Sequence, residues 1–199
     1  MHPNVDTQQR ILDSAKELIY SRSYADVGVA AICEHAGVKK GSFYHFYPSK
    51  QELTLAVIDT FFVEFKEQLL EKAFAEDIPP LSRLVRLAQL TFEFQQQMHV
   101  NTGHVLGCPF GNLVTELATQ DELIRVRIER IFINLQLDFR KILKEAVAAG
   151  DVHNMNIEAT AQAMLAYSEG VLLLAKSQNN PAVISQLLPA ISQIRIQEK

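Results

Sequence analysis

Apolar residues recur three and four positions apart along almost the whole chain, and no stretch alternates with a period of two for long. The pattern predicts helices throughout. Ile11, Leu12, Ala15, Leu18 and Ile19 form a first stripe, with Asp6 and Thr7 as candidate caps. A short second helix fits Val29–Ala36, stopped by Gly37, and a short third fits Lys40–Phe46, halted near Pro48. Ser49 and Glu52 have the spacing of a capping box, which starts a long fourth helix running to about Ala75. Further helices are predicted over 81–99, 109–119, 122–149, 157–177 and 182–197. Their breaks are Pro79-Pro80, the segment 103–107, Gly150-Asp151, Asn154 and Asn179-Asn180-Pro181. This is an all-α fold of about nine helices.

The helices divide unevenly. Three short ones carry too little apolar surface to fold alone, so they are expected to pack on the start of the fourth. The natural boundary falls near residue 50, giving an N-terminal helix-turn-helix domain over 1–50 and a larger helical domain over 51–199. Charge changes at the same place. Residues 1–50 hold six Lys/Arg against five Asp/Glu, whereas the whole chain carries a net charge of −4. No acid occurs between Glu34 and Glu52, while Lys39, Lys40, Lys50, His35 and His45 do. The overall charge excludes a protein that coats nucleic acid indiscriminately, yet leaves room for a local basic surface. A solvated basic face is the plain alternative.

Composition narrows the class further. A content of 48% hydrophobic and 21% charged residues belongs to a folded chain and excludes general disorder. The richest apolar stretch, 161–175, is interrupted by Tyr167, Ser168 and Glu169, so no window offers the roughly 20 residues a membrane span needs. Residues 1–10 lack the basic-then-apolar order of a signal peptide. A cytoplasmic protein with no membrane partner is expected. Two cysteines, Cys33 and Cys108, make no disulfide framework. Cys33, inside the short second helix, reads as core. His99, His104, Cys108 and His153 lack metal-ligand spacing, so neither metal nor cofactor is expected.

Two short helices joined by a Gly-containing turn form a helix-turn-helix, whose second helix can enter the major groove. Lys39, Lys40, Ser42, Tyr44, His45 and Lys50 are its exposed candidates, suited to phosphate oxygens or base edges, and Gly41 allows close backbone approach. Phe43 and Tyr47 fall on the opposite side, as core. The wording itself, Arg10-Ile11-Leu12-Asp13-Ser14-Ala15 and then Ala36-Gly37-Val38-Lys39-Lys40-Gly41-Ser42-Phe43-Tyr44-His45-Phe46-Tyr47-Pro48-Ser49-Lys50-Gln51-Glu52-Leu53, resembles the DNA-binding domain of TetR-type regulators over about 7–55. The resemblance implies a homodimer on palindromic double-stranded operator DNA, released by a small-molecule effector, and a regulator rather than an enzyme. It implies phosphate contacts for Tyr44 and Lys50, with Lys40, Ser42 and His45 at or near base edges. Two positions depart from the family pattern: Gly28 where Thr or Ser often caps the second helix, and Lys39 where Ser is common.

A second segment, Gly107-Cys108-Pro109-Phe110-Gly111-Asn112-Leu113, resembles one TetR branch in which some members respond to electrophiles or unsaturated small molecules. Pro favours a first helical position, which sets Cys108 at a helix start, where a thiolate is favoured. His104 stands four residues earlier as a candidate assistant. An effector site is expected near Cys108 and Phe110, with His104, Phe65, Phe94 and Tyr167 as further lining. The last two helices carry a mild stripe of Ala161, Met164, Leu165, Ser168, Leu172 and Ala175, and a second of Ile184, Leu187, Leu188, Ile191 and Ile194. Either they cap the protomer's own core or, as the resemblance implies, they form a two-fold interface, with Met164, Leu165, Ser168, Leu172, Leu187, Leu188 and Ile191 as contacts. Two other classes stay open: a thiol-dependent enzyme using Cys108 with His104, and a helical interaction module without DNA affinity.

Overall fold

The computed structural model describes residues 3–198, and side chains from residue 6 onward. Met1 and His2, in the stretch that lacks signal-peptide order, and Lys199 lie outside the described residues. The elements are α1 (Pro3–Ser21), α2 (Val29–Ala36), α3 (Lys40–Phe46), α4 (Lys50–Phe65), a π turn (Lys66–Leu70), α5 (Glu71–Ala73), α6 (Pro80–Thr102), α7 (Pro109–Leu117), α8 (Glu122–Ala148), α9 (Ile157–Ser177), α10 (Ala182–Leu187) and a closing 3-10 helix (Leu188–Gln193). Taking α4 and α5 as one helix interrupted by the π turn, nine α-helices stand among the described residues. The sole β pairing among them is an isolated bridge between Met155 and Gln197.

The largest departures from the sequence expectation lie at three ends. α1 begins at Pro3, so Asp6 and Thr7 lie inside it rather than at its cap. Nothing between them and Pro3 breaks a helix, and proline is tolerated in a first turn. α4 gives way to a wide turn at Lys66–Leu70, where the Glu71 N–H reaches back five residues to the Lys66 carbonyl. α10 stops at Leu187 because Pro189 lacks the N–H that would continue it, and the chain tightens into 3-10 geometry. Ser49 does cap α4, its Oγ accepting the Glu52 N–H at 3.1 Å.

The helices gather into two compact units, one of the chain up to Glu64 with Pro109–Glu129, the other of Phe65–Cys108 with Arg130 onward. The first unit thus takes in most of α4, all of α7 and the start of α8, which a boundary at residue 50 leaves with the larger domain. Within it, α1, α2 and α3 pack on one another. Ile11, Ala15, Ile32, Phe43, Leu53, Val57 and Ile58 are fully buried, and Tyr20 meets Phe61 edge-on at 5.3 Å. In the second unit, α6, α9, α10 and the 3-10 helix enclose Ala88, Val105, Val171, Ala175, Val183, Ile184 and Leu188. Arg83, on α6, is buried with its guanidinium on the Glu145 carboxylate at 2.5 Å and on the carbonyls of Ile78 and Glu76.

The α2–α3 turn depends on one glycine. Gly37 adopts φ 63° and ψ 38°, and its N–H closes α2 on Glu34. The Arg10 guanidinium, from α1, donates to the carbonyls of Ala36 and Gly37, so a Cβ at Gly37 would lie 2.8 Å from it. Gly37→Ala is therefore expected to destabilise the protein by about 1–2 kcal/mol from backbone conformation alone, before any crowding of Arg10. Thermal unfolding checks this, at roughly 2–4 °C per kcal/mol for a chain of this size.

Candidate DNA-binding surface and effector site

Seven residues are too few to hold a helix by its own hydrogen bonds, so α3 is placed by what it buries. Phe43 has no exposed surface and Tyr47 is 6% exposed, with their rings 6.3 Å apart. Burial of that side turns the other outward. Lys39, Lys40, Gly41, Tyr44 and His45 are exposed along it, Tyr44 at 54%, and Ser42 is half-buried. Neither Gly28, at the head of α2, nor Lys39, at the head of α3, supplies a side-chain cap, and both are extended. Cys33 is buried beneath this surface, and burial pushes its thiol above the ordinary value.

Lys50 is placed differently from its neighbours. Its ammonium donates to the Tyr24 carbonyl and lies 3.7 Å from the centre of the Tyr24 ring. Burial lowers its pKa, against the opposing charge of Glu116. A phosphate contact expected of Lys50 would have to use the donors its bond to Tyr24 leaves over. No pattern in the chain marks this partner, because Tyr24 sits in the irregular turn before α2, where periodicity carries no information.

The segment ahead of α7 is held by two side-chain amides. Gln95 is buried, with its Nε2 donating to the Gly107 carbonyl at 2.9 Å and its Oε1 accepting the Gly107 N–H at 3.2 Å. Asn179 accepts the Val105 N–H at 2.8 Å and donates to the Gly103 carbonyl at 3.0 Å. Gly103 and Gly107 have φ of 76° and 74°, so the segment is not helical and His104 is not stacked one turn from Cys108. His104 is exposed, and its backbone is engaged by the Thr102 hydroxyl. The thiol of half-buried Cys108 instead donates to the carboxylate of Glu169, on α9. Burial raises the Glu169 pKa, and the thiol bond opposes that rise. Glu169 escapes sequence reasoning because it reads as a polar interruption of an apolar helix.

The other expected lining residues fall in both units. Phe110 is buried in the first unit, edge-on to Phe62 at 6.4 Å. Phe65, Phe94 and Tyr167 are half-buried in the second. Tyr167 packs on the apolar cluster around Val171, with its hydroxyl on the Leu187 carbonyl at 2.7 Å. Among the described residues, no group of three or more His, Cys, Asp or Glu is placed to hold a metal ion. No described helix is long and apolar enough to cross a membrane.

Four of the expected dimer contacts are occupied within the protomer. Met164, Leu165, Leu188 and Ile191 are buried in its own core, and Ser168 and Leu172 are half-buried, leaving Leu187 exposed. The outward face of α9 is a different stripe, Gln162, Ala166, Gly170, Leu173 and Leu174, with Leu173 at 67% exposure. Helical spacing could not separate these faces, because α9 carries small and apolar residues on both.

Comparisons with known proteins agree with this architecture. Residues 11–57 match the model of bacterial regulatory proteins of the tetR family, and residues 80–191 match the tetracyclin repressor-like C-terminal domain. The chain is 33% identical over 172 residues to an HTH-type transcriptional regulator encoded in the lacX 3' region of Lactococcus lactis subsp. lactis, covering 86% of this chain and 84% of that one. It is 24% identical over 185 residues to the HTH-type transcriptional repressor DhaR of Mycobacterium sp. strain GP1, covering 92% and 89%. A crystal structure of a regulatory protein TetR from Rhodobacter sphaeroides superposes with a TM-score of 0.83 at 26% identity, covering 94% of this chain and 98% of that one. Regulators of this kind bind operator DNA as homodimers and respond to small molecules. With both its helix-turn-helix and its C-terminal region matched, the chain belongs to the TetR family of transcriptional regulators.

Proposed function

We propose that this protein is an effector-released repressor that reads a palindromic operator through α3, with Cys108 as the residue that senses the effector. The outward row of Lys39, Lys40, Gly41, Tyr44 and His45, without a carboxylate among them, carries the DNA half of the reading. Lys39 and Tyr44 reach phosphate oxygens, while Lys40, Ser42 and His45 offer hydrogen bonds to base edges. Two copies related by a two-fold axis place their recognition helices about 34–36 Å apart, one turn of the duplex. The exposed face of α9, with Leu187, supplies the contact between copies. Effector binding favours a spacing that does not fit the operator, and a tenfold loss of affinity needs only about 1.4 kcal/mol of coupling.

The effector class follows from the Cys108–Glu169 pair. A carboxylate that already accepts the thiol hydrogen is the natural base for addition to an α,β-unsaturated carbonyl compound. The sulfur bonds to the β-carbon, the π pair moves towards the carbonyl oxygen, and the thiol proton passes to Glu169. Glu169 then returns that proton to the α-carbon. The product is a thioether, and Glu169 is left ionised without the donor it had.

Selection from a random DNA pool, followed by fluorescence anisotropy, tests the operator reading. A two-fold symmetric sequence should emerge, and Lys39→Ala should reduce the slope of log affinity against log salt by about 1.8, for two lost phosphate contacts per dimer. Enrichment of no sequence would favour the interaction module.

N-ethylmaleimide tests the sensor. Intact mass should show one adduct that Cys108→Ser abolishes, with release of operator, and Glu169→Gln should slow the addition about tenfold or more. Turnover of an electrophile beyond one equivalent per subunit would instead favour an enzyme. Glu169 also makes a pH prediction. Because burial raises its pKa, its ionised form opposes folding above the raised value, and the penalty disappears once pH falls below the ordinary 4.5. Glu169→Gln should therefore raise the Tm at pH 8 and leave it little changed at pH 4.

A further inference from the structure

The turn 22–28 leads into the helix-turn-helix, and Lys50 begins the helix that leaves it. Both places are held by carboxylates that lie far along the chain. Glu116, on α7, accepts the N–H of Tyr24 at 3.0 Å and that of Ala25 at 2.7 Å, one with each oxygen. On the other side of the same residue, the Tyr24 carbonyl accepts from Lys50. Asp121, between α7 and α8, accepts from the Gln51 amide at 2.6 Å and caps the Ile124 N–H at 3.1 Å with its second oxygen. All of these residues belong to the first compact unit.

We propose that Glu116 is a positioning residue for operator recognition, fixing the angle at which the helix-turn-helix is presented so that a dimer accepts one half-site spacing. This rests on the reading of the protein as a homodimeric operator binder. A carboxylate that takes two successive N–H groups defines the direction of both peptides, because each hydrogen bond must lie close to its N–H vector. Apolar packing has no such directionality and permits small rotations. With Lys50 on the carbonyl side, residue 24 is held from both faces, and Gln51–Asp121 repeats the arrangement at the exit of the motif. Glu116 acts without touching DNA. Its signature is therefore the spacing preference, distinct from the salt dependence that phosphate contacts produce.

The test uses the full-length protein and the operator enriched from a random pool, beside the same operator with one base pair inserted or deleted between its half-sites. Such a change shifts the half-sites by about 3.4 Å and about a tenth of a turn. Wild type should bind the altered operators at least about tenfold more weakly, and Glu116→Gln should narrow that ratio to about threefold, with its salt slope unchanged. Gln preserves size but sets an amide N–H₂ against a peptide N–H. Gln51→Ala, which removes only the exit contact, should narrow the ratio in the same direction and carries the test if Glu116→Gln unfolds in thermal melts. Equal ratios in wild type and variants, or uniform weakening on every operator, would overturn the proposal. A wild type that enriches no palindrome would overturn the operator-binding reading itself, and this one with it.

Discussion

Burial of Phe43 is the constraint on which the candidate DNA-binding surface depends. α3 has only seven residues, and a helix of that length does not persist on backbone hydrogen bonds. The Phe43 ring, with no exposed surface, anchors the helix in a core shared with α1 and α2. A fully buried aromatic side chain contributes about 2–3 kcal/mol through removal from water. Because the helical period is fixed, seating Phe43 also decides where Lys40, Tyr44 and His45 point. The polar row is a consequence of the apolar anchor.

Packing orients helices, but irregular backbone between them needs directional partners. This chain supplies them from long polar side chains at large sequence separation. Arg10 holds the carbonyls of the α2–α3 turn, Glu116 holds the N–H groups of the turn before α2, and Gln95 and Asn179 hold the segment ahead of Cys108. In each case a distant side chain fixes a stretch with no internal ladder. Such bonds confer direction more than energy, a typical one contributing about 1 kcal/mol net.

The same division explains what could be read from the sequence. α2, α3 and α9 were legible to the residue, since glycine, proline and a clear period bound them. The boundary residues of α1 and α10 were not: Asp6 has the chemistry of a cap whether or not the helix has already begun, and the stripe through Ile191 and Ile194 masks what Pro189 does. The exposed row on α3 was legible because Phe43 and Tyr47 mark the buried side. Partners such as Tyr24 for Lys50 and Glu169 for Cys108 were not, because tertiary hydrogen bonds leave no periodic trace. The outward stripe of α9 was hidden by an inward stripe that is also rich in small and apolar residues.

The acid-free basic surface around one short helix, in a chain of net charge −4, bears on how such a protein finds its site. The operator-binding dimer proposed above would have a negative total charge, repelled by the duplex at long range and attracted only where α3 comes within roughly a Debye length, about 8 Å at physiological ionic strength. Residence on arbitrary DNA is brief under those conditions. On that reading, search would proceed mainly through free diffusion and repeated short encounters rather than extended sliding, and occupancy would be governed by how well both recognition helices engage at once.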